Sequence, residues 1–259
     1  MSELYRTVTR SDYDGVYNSF SLSHVVIVLL FFAGFVAIIQ ISKNANLRYS
    51  LGALERVFLM LMAASQLAYF IWYGISGAGG DKWPLYACRM AAVLLFFSYF
   101  IDIPPITHFA TFTALYGGIS SVFWSTPKPF AFPHITRIAF FGTHIFLAYA
   151  ALLRIILHDD KFGKRELLQA EGVNLCMIAG VLVLDIKFDW NYMFLLTPQL
   201  PSPVSVIGNE VVWQVMMTAF VVCVYIFAVW ASWFFSSWLQ KRYGPGAFKG
   251  NVIEKKDTR

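Results

Sequence analysis

The sequence predicts an all-α, multi-pass transmembrane helix bundle of about seven spans, with a re-entrant or interfacial loop between spans six and seven. Three observations lead there. Only 14% of the residues are charged, well below the roughly 25% of a soluble domain whose surface faces water. Hydrophobic residues make up 58% and the mean hydropathy is +0.59. The apolar residues also fall in continuous runs of about 20, the length of a membrane-crossing helix. Transmembrane barrel strands would alternate apolar and polar residues instead.

Taken in order, residues 1–21 form a polar N-terminal segment with no apolar core of a cleaved signal, so the first span is expected to direct insertion. That span is read at 22–42. The second covers 54–74, with Glu55 and Arg56 at its start. The third is short, 83–100, and opens at Trp83-Pro84. Asp102-Ile103-Pro104-Pro105 breaks the chain before the fourth, 106–124. The fifth, 135–157, lies between Arg137 and the polar run His158-Asp159-Asp160-Lys161. The sixth, 168–186, is the weakest, because Gln169, Glu171 and Asn174 dilute it. The seventh, 211–239, is the strongest. Between the last two, an apolar stretch from Tyr192 to Leu196 is followed by prolines at 198, 201 and 203, too short and too broken to cross. The membrane domain thus spans 22–240, and 241–259 is a charged tail.

Lysine and arginine are retained on the cytoplasmic side or its equivalent. With seven spans, one face carries Lys43, Arg48, Arg56, Arg154, Lys161, Lys164, Arg165, Lys241, Arg242, Lys249, Lys255, Lys256 and Arg259. The other carries Arg6, Arg10, Lys82, Arg89, Lys128, Arg137 and Lys187. The imbalance predicts an integral membrane protein with its N-terminus outside and its C-terminus inside, or the mitochondrial inner-membrane equivalent. The net charge of +5 then serves retention and contact with anionic lipid. Nucleic-acid binding is excluded, because the basic residues flank spans and form no compact patch.

Polar groups inside a bilayer are costly and invite a functional question. Cys88 and Arg89 lie about 7 Å into span three and His144 about 10 Å into span five, both counted from the outer face. His24 opens span one. Asp185 ends span six, and Asn191-Tyr192 follow in the outer loop. These groups share one leaflet at nearly one depth. Each has a plainer reading. His24 and Asp185 suit helix ends, and Arg89 and Arg137 can snorkel to headgroups. The thiols Cys88, Cys176 and Cys223 suit buried packing, without metal or disulfide spacing. Among His24, His108, His134, His144 and His158, only His24 and His144 match in depth as a haem pair would. No cofactor is expected.

The segments Ser23-His24, Pro84-Leu85-Tyr86-Ala87-Cys88, Phe140-Phe141-Gly142-Thr143-His144 and Asn191-Tyr192-Met193-Phe194-Leu195, followed by Pro198 and Ser202 to Gly208, form an ordered set over residues 22–220. In this set the chain resembles the YwaF-like integral membrane proteins of bacteria. Those are related to eukaryotic multi-pass acyltransferases acting on ether phospholipids. The resemblance implies a cysteine nucleophile, Cys88, and a histidine base, His144. His24, Arg89, Asp185, Asn191 and Tyr192 are expected around the substrate. Two positions depart from the bacterial pattern. Tyr86 stands where it has histidine, and Gly208-Asn209-Glu210-Val211 where it has a Gly-Pro-Trp-Pro-like run.

Two functions follow as expectations. One is an enzyme that transfers acyl chains between membrane lipids through Cys88 and His144. The other is a non-catalytic structural or accessory subunit of a larger membrane complex, with span seven and its Trp213, Trp230, Trp233 and Trp238 against other subunits. A transporter or receptor is supported by span number alone.

Overall fold

The computed structural model describes residues 20–76, 83–124, 130, 132–196 and 210–247. Among these residues the chain is helical, with no strand pairing two segments into a sheet. Seven α-helices run as α1 Leu22–Ser42, α2 Ala45–Ser76, α3 Ala87–Ser98, α4 Pro104–Phe123, α5 Ile135–Leu157, α6 Lys164–Phe188 and α7 Glu210–Tyr243, with a single 3₁₀ turn at Tyr192–Phe194. Most of the N-terminal segment, the prolines at 198, 201 and 203, and the tail from 248 onward lie outside the described residues.

Five of the helices, α1, α2, α5, α6 and α7, are long and apolar enough to cross a membrane. The sixth predicted span, diluted by Gln169, Glu171 and Asn174, is a full helix of 25 residues. It accommodates them by burying Glu171 and Asn174. The third does not reach the predicted length. Residues 83–86 lie outside any helix, and α3 has only 12 residues, about 18 Å of rise. α4 has 20 residues and starts on Pro104-Pro105, where a missing amide N–H costs nothing.

α4 and α5 form the pillar of the bundle. Nearly every side chain of α5 from Leu147 to Ile156 is buried, as is α4 from Thr107 to Leu115. The long antiparallel pair α2–α5 is the most extensive helix contact, followed by α4–α5 and α3–α4. α1 and α7 lie outermost and turn apolar side chains such as Leu29, Leu30, Val215 and Phe227 outward. In a bilayer those faces need only lipid to cover them. Trp230 and Trp238 also face outward, whereas the Trp233 indole donates inward to the Phe162 carbonyl at 3.0 Å.

One end of the bundle is clasped by polar side chains. Arg154 lies 3.1 Å from the Asp160 carboxylate and 3.5 Å from that of Asp102, and Asp102 accepts from the Thr107 hydroxyl at 2.6 Å. Ser237 of α7 donates to Phe162 O at 3.0 Å, and Arg48 reaches Tyr243 O at 2.9 Å. These bonds tie the 158–163 connection to α2, α4 and α7 at once. His158, just past α5, shares its Nε2 proton with both Glu55 oxygens at 3.1 Å. That hydrogen bond raises the His158 pKa above its ordinary value.

A raised histidine pKa contributes stability that is fully present below the unfolded value near 6.5 and is lost as pH rises through the folded value. The ring is 36% exposed, so the contribution is less than about 1 kcal/mol. Thermal unfolding in detergent should therefore show slightly lower stability above that transition than below it. Glu55→Gln should flatten the difference; an unchanged pH dependence would show that the pair contributes nothing.

Candidate functional site

Cys88 is the second residue of α3. The helix starts abruptly, with Tyr86 extended at the N-cap position and no side chain satisfying the first amides. The N–H groups of Cys88 and Arg89 instead face the Cys88 sulfur, and the Ser121 hydroxyl of α4 lies beside it. Amides at a helix start favour an anion, so the N–H groups of Cys88 and Arg89 would face a thiolate at this sulfur. The side chain is partly exposed.

Two adjacent glycines of α4 bring the neighbouring helices in. A Cβ on Gly117 would sit 3.1 Å from the Cys88 Cβ, and one on Gly118 would sit 2.7 Å from both the Ala148 Cβ and the His144 carbonyl oxygen. Consecutive helical positions point about 100° apart. α3 with Cys88 and α5 with His144 therefore press on a single turn of α4 from two sides. Small residues at such contacts let helix backbones approach closely in a membrane.

His144 is buried. Its Nδ1–H donates to the Phe140 carbonyl at 2.7 Å; a carbonyl only accepts, so this contact assigns the neutral tautomer. The acceptor lone pair is thus left on Nε2, which is enclosed and makes no hydrogen bond in the protein. No direct hydrogen bond joins it to Cys88. The guanidinium of Arg89 acts electrostatically on both groups. Arg89 does not snorkel outward. It is buried, its guanidinium 4.0 Å from the ring centre of Tyr69 and 5.3 Å from that of Tyr86, a cation–π sandwich.

Asp185, Asn191 and Tyr192 build the wall beside α3. Asp185 is fully buried. Its Oδ1 accepts from the Tyr192 amide at 3.0 Å, while its Oδ2 has no partner. α6 stops at Asp189, which adopts the left-handed conformation with φ 53°, and the Trp190 amide returns to the Asp185 carbonyl at 3.0 Å. Asn191 Oδ1 accepts from the Leu196 amide at 3.1 Å. Within the turn, Met193 and Phe194 hold φ of 57° and 59°, a costly conformation for side-chain-bearing residues that packing must enforce. Met193 and Leu195 are fully buried among Ala87, Ile178 and Val181. The Tyr192 hydroxyl accepts from the Trp83 amide at 3.2 Å and its ring meets Tyr86 edge-on at 5.2 Å. The Asn191–Leu195 motif thus fixes the approach to α3 one residue before Cys88.

His24 belongs elsewhere. Its Nδ1 accepts from the Phe20 amide at 2.9 Å, and its Nε2–H donates to the Val122 carbonyl at 2.8 Å. With both nitrogens bonded it pins α1 to the last turn of α4, about one helical turn beyond Gly118. Of the seven residues singled out from the sequence, the structure gathers Cys88, Arg89, His144, Asp185, Asn191 and Tyr192 around the α3 start, and sets His24 to one side as a helix tie. Sequence reasoning missed Ser121, Tyr116 and the Gly117-Gly118 pair. The glycine pair was readable, since two small residues inside an apolar run mark a close helix contact.

Beside this wall, Leu196 and α7 residues Gln214, Val215, Thr218, Ala219, Val222 and Cys223 line a largely apolar groove of about 520 Å³. Among the described residues no group of three His, Cys, Asp or Glu side chains is placed to hold a metal.

The five crossing helices, the enclosed polar groups and the apolar outer faces define a multi-pass α-helical membrane protein. The chain belongs to the TMEM164 family, whose family model matches residues 19–230. No curated protein and no solved structure shows significant similarity to it.

Gly118→Ala should force α4 from α5 at the level of His144, because the new methyl meets backbone rather than a flexible side-chain tip. A loss of about 1–3 kcal/mol is expected. Gly180→Ala, where nothing lies within 4 Å, is the control. Equal unfolding temperatures for the two variants would show that the close contact is not needed.

Proposed function

We propose that the chain is a thiol-dependent acyltransferase of membrane lipids, with Cys88 as nucleophile and His144 as base. The observation that carries this reading is the arrangement around one turn of α4. A cysteine sulfur faced by the backbone N–H groups of Cys88 and Arg89 lies on one side, and a histidine with its Nδ1 proton anchored and its Nε2 lone pair unused lies on the other. A base oriented by a third group beside a nucleophile is the general pattern of covalent catalysis, and resting structures often hold the pair looser than the reacting complex. The resemblance to YwaF-like proteins, and through them to ether-phospholipid acyltransferases, names the same two residues.

The chemistry balances without any cofactor. Nε2 of His144 takes the thiol proton, directly or through one water, and the thiolate adds to the ester carbonyl of a donor lipid. The ester C–O bond breaks, the departing lipid oxygen takes the proton back from the imidazolium, and the acyl group stays on Cys88 as a thioester. An acceptor lipid hydroxyl then gives its proton to Nε2 and attacks the thioester, and the C–S bond breaks. Amides of Cys88 and Arg89 balance the thiolate at both ends of the cycle. The apolar groove on α7 offers a lateral path for the acyl chain. Charge retention puts the clasped, lysine- and arginine-rich end inside, and so the Cys88 end in the outer leaflet with the N-terminus.

The second reading, an accessory subunit of a membrane complex, is favoured by the outward Trp230 and Trp238 of α7, side chains that suit protein interfaces as well as lipid. Two measurements separate the readings. Incubation with a lipid carrying a labelled acyl chain should leave a hydroxylamine-sensitive label on the protein. Cys88→Ala should abolish that label, and His144→Ala should slow its appearance by about 10²-fold or more. Full labelling of the Cys88→Ala variant would reduce Cys88 to a packing residue. No label on the parent, together with migration in a larger assembly after mild extraction, would support the subunit reading.

A further inference from the structure

α1 and α7 both run toward the clasped end and come together there at the Tyr243 ring. The Lys43 ammonium, just past α1, lies 5.8 Å from the centre of that ring and 2.7 Å from the Gln40 amide oxygen. Arg48, in the first turn of α2, donates to the Tyr243 carbonyl at 2.9 Å and to the Ile156 carbonyl. It therefore answers the carbonyl ends of α7 and α5 by itself. The Arg242 guanidinium lies 5.9 Å from the ring centre of Trp238, one turn back on α7. Lys43 and Arg242 are exposed. Among the described residues neither bonds a carboxylate or a backbone carbonyl.

The charge around these two residues is one-sided. From Phe20 to Leu54, and again from Val211 to Ala247, the sequence holds no aspartate or glutamate. The first carboxylate along α2, Glu55, is buried and engaged with His158. Elsewhere at this end cations stand beside acids, Arg154 with Asp102 and Asp160, and Lys164-Arg165 directly before Glu166. Charge retention accounts for cations gathering at one end. It does not account for a sector that holds cations and no acid. From each cation an apolar stripe climbs its helix. Steps of three and four residues keep to one helical face, which sets Val25, Leu29, Phe32, Val36 and Ile39 in line with Lys43. The same steps set Val224, Ala228, Ala231, Phe235 and Trp238 in line with Arg242. Leu29, Val36, Val224 and Trp238 are well exposed, while Ile39 and Phe235 pack partly against the core. The α7 stripe lies on the flank away from Ser237 and Gln240, which reach the 158–163 connection. α1 and α7 make no extensive contact along their length, so both stripes leave the Tyr243 junction open to lipid.

We propose that this face holds a phospholipid with a net negative headgroup, its phosphate at Lys43 and Arg242 and its acyl chains along the two stripes. The occupant follows from the chemistry. Exposed apolar stripes in a bilayer take acyl chains, cations without acids take an anion, and an anionic lipid carries both at this depth. Tyr243 and Trp238 stand where aromatic rings mark the headgroup level. The lipid joins two outer helices that otherwise meet at their ends. It lies at the opposite end of the bundle from Cys88 and takes no part in the chemistry proposed there, so the inference stands apart from that reading.

The test is native mass spectrometry of the full chain in mild detergent, titrated with phosphatidylserine or with phosphatidylcholine of the same acyl chains. A basic residue at a membrane surface strengthens the hold on an anionic lipid by about fivefold. The first phosphatidylserine should therefore bind at least about tenfold more tightly than the first phosphatidylcholine. Lys43→Gln with Arg242→Gln should bring the two lipids to within about twofold of each other. Lys43→Arg with Arg242→Lys keeps both charges and should keep the preference. Lys164→Gln with Arg165→Gln removes the same charge from the same end and should leave the preference unchanged. Equal losses in the two charge-removing pairs would overturn the proposal, because diffuse attraction to the whole end would then suffice. Glycerophosphoserine, the headgroup without chains, should not compete; full competition would make the site one for a soluble anion and overturn the lipid. Absence of any preference in the parent would also overturn it, and a cross-link from position 238 to a protein in native membranes would assign the face to a protein interface instead.

Discussion

Everything at the Cys88 end depends on the close approach of α4 to its neighbours at Gly117 and Gly118. Without side chains there, α3 and α5 come within van der Waals distance of the α4 backbone, Cys88 against Gly117 and the His144 carbonyl against Gly118. A side chain at Gly118 would meet the α5 backbone and Ala148 at 2.7 Å, and one at Gly117 would crowd the Cys88 Cβ at 3.1 Å, so both neighbours would have to move. Helix association in lipid gains nothing from hiding apolar surface, since the tails are as apolar as leucine. Tight backbone contact and internal hydrogen bonds must supply it. Ser232 of α7 donating to Phe112 O at 2.8 Å, and Tyr149 of α5 donating to Phe31 O at 2.8 Å, show the second device joining the peripheral helices to the pillar.

The two ends of the bundle solve the cost of polar groups differently. At the clasped end Arg154, Asp102, Asp160, His158 and Glu55 neutralise one another, and their role ends with holding the 158–163 connection in place. Elsewhere polar atoms are buried without being satisfied, among them His144 Nε2, Asp185 Oδ2, Glu171 Oε2 and Asn174 Oδ1, and toward the clasped end His108 Nδ1 and Ser236 Oγ. Each unsatisfied buried polar atom costs stability. The turn beside Asp185 adds local strain, with Met193 and Phe194 held at positive φ, a conformation that surrounding packing must enforce.

Much of the fold was legible from hydropathy. A helix lies at each of the seven apolar runs, and five of them are long and apolar enough to cross, because about 20 continuous apolar residues have few alternatives to a membrane-crossing helix. The length of α3 was not legible. Trp83 to Tyr86 are largely apolar yet lie outside the helix, where the Trp83 amide bonds the Tyr192 hydroxyl 109 residues away. The shared depth of Cys88, Arg89 and His144 followed from counting helical rise. The fate of His24 could not, since a histidine at a helix start looks the same whether it is free or bonded on both nitrogens.

Glu171 and Asn174 show where counting misleads. As diluting residues they weaken the sixth span, and hydropathy treats them as a flaw. In the bundle both are buried rather than turned to lipid. A polar residue in a weak span has two places to go, and lipid exposure is the costlier one. The dilution of α6 therefore specifies which of its faces meets α4. It also leaves the Glu171 Oε2 and Asn174 Oδ1 oxygens unsatisfied. A span assembled for packing alone would have used apolar residues there, with better stability and no loss of helix. That a helix long and apolar enough to cross the membrane carries this pair buried ties the weak hydropathy of the span to its packing inside the bundle.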